Sequence, residues 1–479
     1  MEQPRLLIQT NFPYRKLFFY QLDNRYVIIG LDIHYTLVMI KKTKEKTVMT
    51  KSFKYKDVLK NREYRKLLLS SIINRFGDSI DAIAFTWLVY QITKSASWAA
   101  LIYGLNVLPN IVVQPFIGPI VEKMDKKKVI VATHILRGIV ISGFVAMYLA
   151  GIVNPFIMAG FTLLITTIES FNLPATTAFI PSVIKKEHLT HAMSLNSTLS
   201  SAMALIGTGL GGIIIAKFGV YTAMLIDAAT FFMAAFGTMT IRRLKEAEDS
   251  EEDTEEQAAK ESYMSLLKGG IKYVAKSRVI LNYCLIAVIL NFLLVPINSL
   301  IAPVTEEVYG LGSELLSVIG MASSIGALLG SAIVPMIIRK ISTKNILTVS
   351  GLIIGVGTYV ITLGKYVYGK PLPGYLLGGG CYIILCLAAS VMGGVISVQF
   401  VKNVDQSYLA RAGAIFNASA SAAMPLGSLI VSAIATKLSA SLLISVCSVF
   451  SIVLFLLVAV SNMKFDLTEE KEEEQANAA

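Results

Sequence analysis

"PGYLLGGGCYIILCLAASVMGGVISVQ", residues 373–399, contains no charged side chain. At about 1.5 Å of rise per residue a helix of this length reaches about 40 Å, more than the ~30 Å hydrocarbon core of a bilayer. Backbone N–H and C=O groups find no water there, so the stretch must form a helix rather than an open strand. Eleven further blocks read the same way: 66–91, 97–118, 129–150, 154–176, 190–216, 220–241, 279–302, 314–337, 345–365, 409–434 and 440–462. Across the chain, 54% of residues are hydrophobic and 16% charged, with a mean hydropathy of +0.63. The sequence therefore predicts an all-α membrane protein of twelve transmembrane helices.

Charge distribution orients the bundle. Lys123, Lys126, Lys127 and Lys128, then Lys185 and Lys186, then Arg339, Lys340 and Lys344, then Lys402 and Arg411 fall in alternate loops. The intervening loops carry only Lys94, Lys217, Lys365, Lys370 and Lys437. The positive-inside rule then places the first set and both termini in the cytoplasm, as expected for a multi-pass protein of a bacterial plasma membrane. The same bias accounts for the net charge of +11, so no nucleic-acid partner is needed.

The chain divides at abrupt changes of composition. Residues 66–241 and 279–463 each hold six spans, and 242–278 separate them. That separator begins with the acidic run "EAEDSEEDTEEQAAKE" (246–261), which cannot bury a core. It continues into an amphipathic stretch with Leu266, Leu267, Ile271 and Val274 on one side and Lys268, Lys272 and Lys276 on the other, suited to the inner leaflet. Residues 49–65 are a basic lead-in, and 464–479 form an acidic tail. Residues 1–48 resemble none of this: "YVIIGLDIHYTLVMI" (26–40) is too short to span, and we expect Met49 to be the native start.

The two halves repeat. Shifting 122–130 by 217 residues lands on 339–347 and pairs Lys123 with Lys340 and Lys127 with Lys344. Shifting the region from Leu189 by 220 pairs Ser201 with Ser421, Ala202 with Ala422, Gly207 with Gly427 and Lys217 with Lys437. Two parallel six-helix repeats place a substrate site near the bilayer midplane between them.

"GPIVEKMDKKK" (118–128) closes the second span and resembles the signature loop of the major facilitator superfamily: a glycine, an acid, then a basic cluster. Gly118 permits close helix approach; Glu122, Lys123, Asp125, Lys126 and Lys127 form a conformational latch in which the lysines hold acids on neighbouring helices. Glu122 replaces the usual aspartate and Asp125 a common glycine. The stretches "GDSIDAIAFTWLVYQITKSASWAALIYGLNVLPNIVVQPFIGPIVEKMDKK", "LPATTAFIPSVIKKEHLTHAMSLNSTLSSAMALIGTGLGGIIIAKFG" and "YTAMLIDAATFFM" resemble the bacterial macrolide-efflux branch of drug exporters, which is similar in turn to siderophore exporters. That resemblance, over residues 60–460, implies a proton-driven antiporter for amphipathic small molecules. "GTGLGG", with Gly207, Gly209, Gly211 and Gly212, is similar to the glycine-rich fifth-helix motif, with Thr208 where proline is usual. The arginine common in the fourth helix is absent, and Glu169 is the one ionisable residue of that span.

The first span carries "NRFGDSIDAIAFTW" (74–87). Asn74, Asp78 and Asp81 are spaced i, i+4, i+7 and share a face, and Arg75 lies one turn from Asp78. A charge near the bilayer centre costs several kcal/mol unless paired, wetted or neutralised. An Arg75–Asp78 pair leaves Asp81 without a partner and free to carry a coupling proton; Glu169 and Asp227 are the other candidates. The second half offers amides instead: Asn291 and Asn298, seven apart on a span kinked by Pro296, suit either substrate hydrogen bonding or helix packing.

Four cysteines, Cys284, Cys381, Cys386 and Cys447, sit in apolar spans at no metal-ligand spacing, and His134, His188 and His191 suit loop or capping roles. No nucleophile, metal or phosphate-binding constellation marks an enzyme, and no cofactor is called for. The expected partners are a small-molecule substrate, a proton gradient and the lipid bilayer, for a monomer. A membrane-embedded sensor or scaffold is the alternative class; an endogenous metabolite such as a siderophore or peptide is the alternative cargo.

Overall fold

The computed structural model describes residues 5–12, 15–22, 25–30, 55–113, 116–117, 120–121, 124–184, 188–242, 271–405, 408–461 and 463–465. Among the described residues, twelve long helices carry the fold. In the first half they are α1 (Arg62–Thr93), α2 (Ala96–Val112), α3 (Lys126–Leu149), α4 (Pro155–Phe179), α5 (Leu189–Phe218) and α6 (Val220–Met239). In the second they are α7 (Arg278–Ser299), α8 (Ser313–Ile337), α9 (Thr343–Ile361), α10 (Pro371–Asn403), α11 (Leu409–Ala435) and α12 (Ala440–Val460). Ten are long and apolar enough to cross a membrane. Of the other two, α1 carries Arg75, Asp78 and Asp81 in its middle, and α2 has 17 residues. The second block was expected to reach residue 118, but α2 ends at Val112, before Pro115 and Pro119, which lack the N–H a helix needs.

The helical unit is all-α as expected, and a small sheet forms a second unit. Residues Arg5–Phe12 (β1), Arg15–Leu22 (β2) and Arg25–Gly30 (β3) form an antiparallel sheet in the order β1-β2-β3, a unit separate from the helical one. Ile8 pairs with Phe19, and Tyr20 with Val27. Runs such as "LFFY" and "YVII" are rich in the aromatic and β-branched residues that favour strands, and only two residues separate successive strands.

Each half has its own apolar core. Ile80, Phe144, Met158 and Phe231 are fully buried in the first; Tyr283, Ile319, Met392 and Phe455 in the second. The repeat recurs in the packing: α3 against α6 matches α9 against α12, and α1 against α5 matches α7 against α11. Asp125 caps α3 by accepting from the Lys128 amide at 3.1 Å, and Ser342 caps α9 by accepting from Asn345 at 3.4 Å. Two residues on, Lys127 Nζ donates to the carbonyls of Met239 (2.7 Å) and Ile241 (2.8 Å) at the end of α6. Its repeat mate Lys344 donates to Ser461 O (2.6 Å) at the end of α12. Each lysine thus closes the exposed C-terminal carbonyls of its half's last helix, where a cation is favoured. The described partners of Lys127 are therefore carbonyls rather than the acids expected of the latch. Gly118, Glu122 and Lys123 lie outside the described residues.

The two halves meet through α2 with α11 and α5 with α8. The glycines of α5 divide this work by helical spacing. Gly207 and Gly211 face α1, where an added Cβ would meet Phe76 O at 2.6 Å and Ile83 at 3.4 Å. Gly209 and Gly212 face α8, where it would meet Met321 Sδ and Ser313 O, each at 2.5 Å. The acidic run 246–261 lies outside the described residues. Of the amphipathic stretch, residues 271–276 are helical, with Ile271 exposed and Val274 buried in the second core. Tyr273 stacks on Tyr408 (4.4 Å, 4°) and its hydroxyl donates to Asp405, so this end of the linker is held by the second half.

Candidate transport site

Four carboxylates of the first half converge on one arginine. Arg137 lies eleven residues into α3 and is 8% exposed. Its Nη2 donates to Asp78 Oδ1 at 3.0 Å and stands 3.9 Å from Glu169 Oε2 on α4. The guanidinium also lies over the Phe231 ring, 4.1 Å from its centroid, a cation–π contact in a dry setting. Asp78, Glu169, Asp227 and Asp81 all act electrostatically on it. A buried cation at this depth is tolerable only with such company.

Arg75 is therefore not the partner of Asp78. Both carboxylate oxygens of Asp78 are occupied, Oδ1 by Arg137 and Oδ2 by the Asn74 amide at 2.8 Å. Arg75 instead lies exposed beside a cavity of ≈ 590 Å³ between α1, α5 and α8. Asp81 Oδ1 and Asp227 Oδ2 are buried and accept no hydrogen bond. Asp227 is 1% exposed, and Thr230 Oγ1 donates to its backbone carbonyl at 2.7 Å. Gly77 lets α1 approach it: a Cβ there would meet Asp227 Oδ1 at 2.5 Å. His134 is buried against Phe231 on the same wall.

Asn74, Asp78, Asp81, Glu169 and Asp227 thus come together, as the shared face of α1 suggested, whereas Arg75 turns away. The sequence reading passed over Arg137 and Gly77. The signal for Arg137 was available, since a lone arginine inside an apolar span calls for a partner. The amides of α7 are more ordinary. Asn291 donates to its own helix at Ala287 O (2.9 Å), while Asn298 is exposed and hydrogen-bonds Tyr103 of the other half. The four cysteines are free, and no cluster of potential metal ligands occurs among the described residues.

The ends of the bundle differ. We term the end bearing Lys126 and Lys344 the basic end and its opposite the far end. At the far end, Lys94 pairs with Glu306 (2.8 Å), Gln91 donates to Glu306 (2.9 Å) and Tyr90 donates to Glu307 (2.8 Å). Glu306 and Glu307 are presented by a π-helical turn, Val304–Val308, that follows the Pro296-containing end of α7. Nearby, Ser317 accepts from the Gly212 amide (2.6 Å), Ser97 bonds Ser432 (3.0 Å) and Ser428 donates to Ala100 O. Each contact joins one half to the other. The halves are shut at the far end and part around the cavity toward the basic end.

Two six-helix repeats that touch at one end and border an open cavity of mixed polarity toward the other define a transporter of the major facilitator class. Residues 57–479 match the family model described as transmembrane secretion effector, and the chain belongs to that family. It is similar to the MFS-type transporter YkuC of Bacillus subtilis, 24% identical over 64% of this chain and 71% of that one. Macrolide efflux protein A of Streptococcus pyogenes is 22% identical over 76% of this chain and 86% of its own. The multidrug efflux pump Tap of Mycolicibacterium fortuitum is 23% identical over 75% and 86%. Among solved structures, the nucleoside transporter NupG superposes with a TM-score of 0.67 at 14% identity over 83% of this chain and 98% of that one. A bacterial homologue of the iron transporter ferroportin, in an inward-facing state, gives 0.61 at 15% over 84% and 99%. The chain is a multi-pass membrane transporter and not an enzyme.

Proposed function

We propose that this protein exports amphipathic small molecules, drugs among them, by alternating access coupled to proton antiport. The observation that carries the reading is one buried arginine with four carboxylates gathered around it in the first half. Asp81 and Asp227 each keep an oxygen with no protein donor, and a buried carboxylate in that position is a place where a proton can be taken up and released. Glu169, about half exposed, gives the set a side open to solvent. The efflux activities named for the Streptococcus and Mycolicibacterium relatives support the direction of transport.

The positive-inside bias places the basic end and both termini in the cytoplasm. On that orientation, a bundle shut at the far end reads as inward-open, ready to load from the cytoplasm. Rocking the halves would separate Lys94 and Tyr90 from the α7–α8 turn and close α5 on α8 at the basic end. Lys94–Glu306 is too exposed to hold the far end alone, since such pairs contribute about 0–1 kcal/mol. The hydroxyl and glycine contacts between α5 and α8 supply the rest.

Two measurements test this. In a strain lacking its own exporters, expression of the chain should raise tolerance to some members of a panel of amphipathic drugs, and inverted vesicles should accumulate those drugs only while a pH gradient is imposed. Unchanged tolerance across the panel, with no gradient-dependent accumulation, overturns the reading. Separately, cysteines placed at Lys126 and Thr343, with native cysteines replaced, should react with an impermeant thiol reagent from the cytoplasmic side only. Labelling from outside would reverse the orientation and make the observed state outward-open.

A further inference from the structure

The cavity beside Arg75 has a chemistry of its own. On α5 its wall is Asn196, Ser197, Ser200 and Ser201, spaced so that they share one helical face. None of these four side chains makes a hydrogen bond among the described residues. Across from them, Ser324 and Ser331 of α8 donate back to their own helix, at Gly320 O (3.1 Å) and Leu328 O (2.9 Å). The uncommitted donors are thus the α5 face and Arg75. No carboxylate lines the cavity, and Glu169 acts on Arg75 only at a distance, without an ion pair.

A guanidinium thirteen residues into a 32-residue membrane helix requires compensation. Its sequence neighbour Asp78 cannot provide it, because Arg137 and Asn74 have taken both oxygens. The remaining compensation comes through the cavity, from water or from an anionic group that takes the water's place. A planar fork of donors, backed by hydroxyl and amide groups, fits a carboxylate, sulfonate or phosphate oxygen pair and repels a fixed cation. Ala204, Ala327 and Leu328 supply the apolar part of the wall.

We infer that this cavity is an anion-recognising cargo site, in which Arg75 holds the acidic head group of an amphiphile while the α5 serines complete its hydrogen bonds. The inference rests on the transport reading above for the cavity's role, and it narrows the substrate class to acidic amphiphiles, with cationic ones disfavoured. An anionic lipid head group shares the same chemistry and is the other possible source.

The test is equilibrium binding of tritiated taurocholate, a sulfonate amphiphile, to the purified full chain in phosphatidylcholine nanodiscs, with no gradient present. Wild type should bind saturably, Arg75→Lys should stay within a few-fold, and Arg75→Gln should weaken binding at least tenfold. Arg75→Glu should lose taurocholate and gain affinity for ethidium, a result that general damage to the fold would not produce. Equal taurocholate binding by wild type and Arg75→Gln, or none by wild type, overturns the inference. So does binding that disappears when phosphatidylglycerol is included, which would assign Arg75 to a lipid head group. Proton-driven ethidium export raised by neither Arg75→Gln nor Arg75→Glu would overturn the anion site while leaving proton-coupled export intact. The reverse holds if taurocholate binds through Arg75 but no gradient moves it.

Discussion

Replacing Arg137 by glutamine is expected to abolish transport and to destabilise the first half by about 3–5 kcal/mol, the usual consequence of removing one partner from a buried ion pair. Among the described residues the guanidinium is the one cation paired with Asp78, and Glu169, Asp227 and Asp81 also act on it. Glutamine can replace a hydrogen bond but not the charge, and it leaves the carboxylates to repel one another across a low-dielectric interior. Arg137→Lys keeps the charge and loses both the fork and the flat contact with Phe231, so an intermediate effect is expected. Asp78→Asn strands the arginine instead. Combining it with Arg137→Gln should recover part of the loss, because the two side chains are directly coupled. The melting midpoint of the purified protein and its yield in the membrane measure the first effect, and transport per molecule measures the second. If Arg137→Gln melts and transports like wild type, the pair has no part in either.

The partner of Asp78 also shows where sequence reasoning reaches its limit. Spans, repeat and fold were legible because hydropathy and loop charge are local properties, and a lipid environment makes them nearly sufficient. The equivalence of Lys127 and Lys344 was legible as an offset, although their carbonyl partners at Met239, Ile241 and Ser461 were not. Asn74, Asp78 and Asp81 could be placed together because helical spacing decides a face. Spacing also nominated Arg75 for Asp78, and there it misled, since it ranks only neighbours on the same helix. The contact between Arg137 and Asp78 depends on how α1, α3 and α6 pack, and that packing turns on Gly77 against Asp227. No periodicity within a single helix contains that information. Residues 5–30 were a different omission: a search for spans finds them too short and too polar, and strand propensity was the property to examine.

If transport is proton-coupled as proposed, Asp81 is the α1 candidate for the proton once Arg137 engages Asp78, and Asp81→Asn is expected to uncouple the transporter without emptying its site. Asn has nearly the size of Asp and is neutral in every state, so the helix contacts around position 81 should survive. A proton moving down a gradient of one pH unit supplies about 1.4 kcal/mol, which sustains about a tenfold concentration ratio of cargo for one proton exchanged. In proteoliposomes the wild type should approach that ratio. Asp81→Asn should bring it to about one and remove the dependence on the gradient, while exchange of cargo at equal pH continues. Asp78→Asn should differ in kind, lowering yield and melting temperature through the stranded Arg137. Asp227 and Glu169 decide the alternative. If Asp81→Asn still drives cargo uphill with normal pH dependence, the proton belongs to one of them. The next place to look is then Asp227, whose Oδ2 is likewise buried without a donor and whose helix is pressed against α1 at Gly77.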